Sequence, residues 1–201
     1  MYTRYIPRSK ERSVQMPSFD RPADPGIPPS PWVMRFAHLI RKGGHVLDVA
    51  AGHGRHTKLF SLCGCSVTAV DEDVSGLSSL STAKNVRIIE ANLEGYAWPF
   101  EANSFDGIVV TNYLHRPHFP HLVDTLKQDG VLIFETFGQG NEKLGRPRNP
   151  DFLLAPGELL DAFSSNLLVV AYEHCTERTP RHAVRQRLCA VRADESVIVE
   201  P

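Results

Sequence analysis

The chain has 201 residues, with 22 Lys and Arg against 23 Asp and Glu and 42% apolar residues, enough for one sizeable core. A formal net charge of -1 gives no whole-molecule field for gripping a polyanion, and no run approaches the roughly 18 apolar residues of a membrane span, so neither an obligate nucleic-acid partner nor a membrane is expected. The four cysteines, Cys63, Cys65, Cys175 and Cys189, fit neither a disulfide framework nor a paired zinc pattern, and the opening MYTRYIPRSKERS lacks a secretory h-region, which leads to the expectation of a cytoplasmic protein.

Seven of the 15 prolines fall within the first 31 residues, where MPSFDRPADPGIPPSP has too few large hydrophobes to offset the entropy of ordering. Residues 1–29 read as an N-terminal arm, either a plain tail or a flap over a ligand that Arg4, Arg8, Lys10 and Arg12 would make anionic. The remainder, 30–201, reads as one domain. Ser30 caps a helix with Pro31 at its first position and Trp32, Val33, Phe36, Leu39 and Ile40 at helical spacing, ended by Gly43-Gly44. Apolar runs then alternate with helical or loop stretches: HVLDVA (45–50), SVTAVD (66–71), NVRIIEA (85–91), FDGIVVT (105–111) and VLIFETF (131–137). Continuous apolar runs suit strands buried on both faces, so the fold class is α/β with a doubly wound, mostly parallel sheet. LLVVAYEHC (167–175) and AVRQRLCAV (183–191) are joined by too few residues for a helical crossover and are expected to pair as a C-terminal antiparallel hairpin.

The informative segment is VLDVAAGHGRHT (46–57), a strand running through Gly52-His53-Gly54 into a helix. Glycines there let the backbone turn and approach a ligand. The second strand ends in Asp71, whose carboxylate can accept from both hydroxyls of a ribose. A dinucleotide site reads GxGxxG, but Thr57 stands at the third glycine's place, and Asp48 lies inside the first strand. A buried carboxylate requires a partner, either a local donor or a cationic ligand group.

With Asp48-Val49-Ala50-Ala51-Gly52-His53-Gly54, Asp71 and the terminal hairpin, residues 30–192 resemble the class I S-adenosylmethionine-dependent methyltransferases. The resemblance implies their seven-stranded Rossmann-like sheet and S-adenosylmethionine as cofactor. It assigns cofactor contact to Asp48, Ala50, Gly52, Gly54, Arg55, Asp71 with Glu72, Asn92 with Leu93 against the adenine, and Asn112. Asn92 stands where the family more often has an aspartate, and its side-chain oxygen is expected to accept from the adenine amino group. Size and the first motif look closest to the small tellurite-resistance-type enzymes.

Ligands of open α/β sheets lie beyond the carboxyl ends of the strands, which directs attention to TNYLHRPHFPH and ETFGQGNEKLGRPRNPDF. His115 is the candidate base or orienter and Tyr113 its catalytic neighbour, since an imidazole titrates near neutral pH. Arg116, Arg146, Arg148 and Asn149 are candidate substrate residues able to fork onto an oxyanion, and Glu135 is expected to face the same pocket. His115, His118 and His121 repeat every third residue, but Pro117 and Pro120 break any helix stacking them, so no metal is expected. The expected activity is methyl transfer to a small, anionic or thiol-like acceptor. The alternatives are an RNA methyltransferase gripping with the arm and RTPRHAVRQR, and a nicotinamide-dependent oxidoreductase.

Overall fold

The computed structural model describes residues 27–179 and 181–193. Of the expected arm only 27–29 fall within them. One seven-stranded sheet dominates, in the order β3-β2-β1-β4-β5-β7-β6. The strands are β1 His45–Val49, β2 Ser66–Asp71, β3 Val86–Glu90, β4 Phe105–Thr111, β5 Leu126–Phe137, β6 Leu168–Glu177 and β7 Ala183–Val191. The first five pair in parallel and β7 runs antiparallel to both β5 and β6. The expected hairpin is therefore present. Order reverses between β1 and β4, and in open α/β sheets that switch point is where a crevice opens.

Helix α1, Pro31–Phe36, starts as its sequence dictates, with the Ser30 hydroxyl accepting from the Trp32 N–H at 3.1 Å. It and α2, Arg55–Leu62, cover one face of the sheet, where Trp32, Val33, Phe36, Leu59 and Phe60 pack on Val46, Val67, Val109 and Ile133. On the other face α3, Phe119–Thr125, and α4, Glu158–Phe163, bury Leu122, Leu159 and Phe163 against Val49, Ile108, Val110 and Phe134. Neighbouring residues of one strand thus join opposite cores, which is why the strands read as unbroken apolar runs.

The helical layers are thinner than strict alternation predicts. After β2 the chain makes a 3-10 helix, Val74–Leu80, and between β3 and β4 it makes turns only. VSGLSSL and ANLEGYAWPFEANS are rich in Ser, Gly, Asn and Pro, whose local hydrogen bonding and fixed φ compete with an α-helix. β5 is also longer than the apolar run, because LKQDG leads straight out of α3 and joins the ladder through Leu126 opposite Phe105. No helix of the described residues is long and apolar enough to cross a membrane.

Candidate functional site

The carboxyl ends of β1 to β5 surround a cavity of about 460 Å3. Seven of the residues expected at the site line it: Ala50, Asp71, Glu72, Asn92, Leu93, Asn112 and Tyr113. The same wall holds Ala91, Glu94, Leu114, Thr136, Phe137, Pro147 and Phe152, which the sequence reading missed.

The glycine loop is shaped from within. Ala50, Gly52 and Gly54 all have positive φ, at 52°, 55° and 72°. A Cβ on Gly54 would meet Leu77 and Leu80 at 2.7 and 2.6 Å, so this glycine serves packing and lies outside the cavity lining. A Cβ on Gly52 would have no atom within 4 Å, but Gly52 too lies outside the cavity lining, against the expectation that it touches the cofactor. The Gly52 N–H donates to Asp71 Oδ2 at 2.7 Å and the Asp73 N–H to Oδ1 at 3.0 Å. Each Asp71 oxygen accepts one bond there and retains a lone pair.

Asp48 does not reach the cavity. It is 1% exposed, and its Oδ2 accepts from the Thr57 N–H at 2.8 Å and from the Thr57 hydroxyl at 2.6 Å. Burial pushes its carboxyl up to about 6, against these two bonds. The expectation that it touches the cofactor is therefore corrected to the local-donor alternative. The geometry has a consequence for ligand choice. Thr57 is the third residue of α2, so the helix N-terminus that would face a diphosphate in a dinucleotide site is filled by the protein's own carboxylate.

Asn92 also differs from expectation. Its Oδ1 accepts from the Glu94 and Gly95 N–H groups at 2.9 and 3.0 Å, an Asx turn. The oxygen expected to meet an adenine amino group is committed to the loop. Asn112, in the left-handed region at φ 56°, accepts at Oδ1 from Arg185 Nη1 at 2.5 Å, while that guanidinium lies 4.0 Å over the Phe137 ring. The Tyr113 hydroxyl is buried and has no hydrogen-bond partner among the described residues. Burial, then the neighbouring Glu94 carboxylate, raises its pKa.

His115 is not in the cavity wall. It borders a small interior void with His118, Tyr113 and Phe119, and its Nδ1 lies 3.9 Å from Glu94 Oε2. Glu94 lines the cavity and His115 does not. His118, 5% exposed, is held neutral because burial lowers its pKa to about 4. Among the described residues no group of three or more His, Cys, Asp or Glu is placed to hold a metal ion. His56 is a buried link: its Nε2 accepts from the Ser30 N–H at 3.1 Å, and burial drives its pKa down to about 3.

The expected anion clamp does not assemble. Arg116 donates to both Glu158 oxygens, at 2.5 and 3.0 Å, and to the carbonyls of Asp151 and Leu153 at 2.8 and 3.0 Å. Its fork closes a structural latch. Glu135, 4% exposed, accepts from Ser30 Oγ and from Arg187 Nε at 3.1 and 2.6 Å, because β5 and β7 place Glu135 opposite Arg187. It faces that ion pair rather than the pocket. Arg55 donates to the Pro28 carbonyl at 3.3 Å and is absent from the lining. Arg146 and Arg148 are exposed outside the wall, and Asn149 Oδ1 accepts from the Asp151 N–H at 3.1 Å, capping a short 3-10 turn.

Between those arginines, Pro147 does enter the wall. Asn141, 1% exposed, holds it there by donating to the Pro147 carbonyl at 3.1 Å while accepting from the Val184 N–H at 3.2 Å. Two signals could have found the missed residues. Glu94 lies two positions beyond Asn92 in the same turn, and Thr136-Phe137 ends the fifth apolar run. The charged lining residues are Asp71, Glu72 and Glu94, all acidic.

Residues 46–130 match the family model described as a methyltransferase domain. Among solved structures the chain is similar to an S-adenosylmethionine-dependent methyltransferase of Methanosarcina mazei, at 15% identity and TM-score 0.62, covering 84% of this chain and 100% of that one. It is similar also to 1,6-didemethyltoxoflavin-N1-methyltransferase of Burkholderia thailandensis, solved with 1,6-didemethyltoxoflavin and S-adenosylhomocysteine, at 20% identity and TM-score 0.62, covering 81% and 76%. It is 35% identical over 77 residues to ribosomal RNA small subunit methyltransferase H of Nostoc punctiforme, covering 35% of this chain and 25% of that protein. The chain spans a quarter to a third of the length of the sequence relatives it matches. The fold is the Rossmann-like fold of the S-adenosylmethionine-dependent methyltransferases, and the glycine loop and Asp71 lie in the segment that carries the domain's sequence pattern.

Proposed function

We propose that this chain is an S-adenosylmethionine-dependent methyltransferase acting on a small molecule. The observation that carries the reading is a contrast at the cavity: Asp48 plugs the α2 N-terminus against a diphosphate, while Asp71 stands at the wall with lone pairs suited to a ribose. The same contrast argues against the nicotinamide alternative. The domain match over residues 46–130 and the fold support it. In this reading Asp71 holds the ribose hydroxyls, the backbone at Ala50 approaches the amino-acid part, Asn92 and Leu93 flank the adenine, and Asn112 borders the sulfur. Bound S-adenosylmethionine supplies a methyl group already activated by positive sulfur. The protein's own work is to align the acceptor and exclude water.

A cavity of about 460 Å3 lies in the range of small-molecule sites, and the Burkholderia thailandensis neighbour is named for methylating a small molecule. The branch, tellurite-resistance-type, rests only on chain size and the first motif. The relatives named for ribosomal RNA favour a second reading, an RNA acceptor. That reading requires affinity for RNA that falls steeply with salt, and the acidic lining weighs against it.

Calorimetry with S-adenosylhomocysteine and NAD tests the proposal. Binding of the first and not the second is expected, and Asp71→Ala should weaken it by roughly 100-fold or more, since it removes hydrogen bonds to a charged acceptor. Unchanged affinity in a folded Asp71→Ala variant would reject the site.

A further inference from the structure

Beyond its carboxylates, the cavity wall has a definite chemistry. Tyr113, Leu114, Phe137, Pro147 and Phe152 supply flat or apolar walls, and the Phe152 ring is left 46% exposed at the rim. With Asp71 committed to a ribose and Glu72 adjacent to it, Glu94 is the charged lining group left for an acceptor. The Asx turn at Asn92 fixes the backbone beneath it, through bonds of 2.9 and 3.0 Å to Asn92 Oδ1. His115 Nδ1 approaches its outer side at 3.9 Å. Next to it the Tyr113 ring adds a flat wall, its hydroxyl closed off from the cavity. An anionic acceptor would enter beside carboxylates with no lining cation to meet it.

Building on the methyltransferase reading, we infer that the acceptor is a flat, non-anionic molecule whose reacting oxygen or nitrogen arrives bearing a proton, and that Glu94 takes the proton. The acceptor lone pair forms the new bond to the methyl carbon as the carbon–sulfur bond breaks, and the electron pair of that bond stays on sulfur. The proton from the acceptor passes to the Glu94 carboxylate, so charge balances across the step. Glu94, 49% exposed in its side chain, becomes covered when a ring seats against Phe137 and Phe152. This replaces the anionic acceptor expected from the arginines and transfers the base role from His115 to a group in the wall.

The experiment uses the full chain with two matched probe pairs, catechol against 3,4-dihydroxybenzoate and aniline against 4-aminobenzoate. Binding is read by ligand-observed NMR in the presence of S-adenosylhomocysteine, and transfer by mass spectrometry with labelled S-adenosylmethionine. At least one neutral probe should bind tenfold or more tighter than its carboxylate. Glu94→Gln should narrow that gap to less than threefold and lower transfer by roughly 100-fold, with S-adenosylhomocysteine affinity within twofold. Equal binding of the charged and neutral members, no binding of any probe by protein that binds S-adenosylhomocysteine, or wild-type transfer in Glu94→Gln overturns the inference while leaving the methyltransferase reading intact. Failure of S-adenosylhomocysteine itself to bind overturns both.

Discussion

Asp48 is a carboxylate in the middle of a buried strand, and its partner decides what the glycine loop can accept. Thr57 supplies both donors. Between the ordinary Asp value of 3.8 and about 6, the folded protein keeps a proton at Asp48 that the unfolded chain has released. Folding stability contributed by this group therefore falls as pH rises through that window, and the deficit is complete above it. In urea denaturation, wild-type stability relative to Asp48→Asn should decline between pH 4 and 7 by an amount on the order of 2–3 kcal/mol and then level. A difference that stays flat with pH would show that the carboxyl is not buried as described. The sequence made the need for a partner legible but left two candidates, because a local hydroxyl nine residues away and a ligand cation satisfy the same carboxylate. The same limit applies to Asn92, where an oxygen suited to a base edge is equally suited to its own turn.

At the scale of elements, the strands were legible and the partners across them were not. Val46 and Leu47 pack into opposite cores, so strand after strand announces itself as a continuous apolar run. Glu135 looked like a pocket residue because its neighbours in the run end at the cavity. Its partner is 52 positions away, and only the β5–β7 register brings them together. Arg187 then bridges Glu135 on β5 to Glu173 and Glu177 on β6, while Arg185 on the same face of β7 reaches back to Asn112 beyond β4. The terminal hairpin thus helps set a residue of the cavity wall. Removing one member of such a buried pair strands the other charge, so Arg187→Met should cost about 3–5 kcal/mol in denaturant unfolding, and replacing Glu135 as well with Leu should recover part of it. A loss below about 1 kcal/mol would mean the network is solvated in solution.

At the scale of the whole molecule, the cavity divides into a half written in short motifs and a half assembled from afar. The half under β1 and β2 uses residues within one strand-to-helix turn and one strand end, and was readable. The half proposed for the acceptor draws on Glu94, Tyr113, Phe137, Pro147 and Phe152, and the last two reach the wall because the segment after β5 folds back onto the carboxyl ends of the strands. That segment is closed at its base by Gln139 N–H to Leu154 O at 2.9 Å and Leu154 N–H to Phe137 O at 3.0 Å. Arg116 ties its far side, binding the Asp151 and Leu153 carbonyls and Glu158 together. None of these hydrogen bonds involves Ala50 or Asp71, so the two halves should separate experimentally. Arg116→Met should leave S-adenosylhomocysteine affinity within about threefold, raise hydrogen exchange in residues 141–153, and weaken a neutral aromatic probe roughly tenfold or more, since the wall that Phe152 and Pro147 provide would no longer be pre-organised. Equal weakening of both ligands would show that the latch supports the sheet end as a whole, and that the acceptor half has no independent framework.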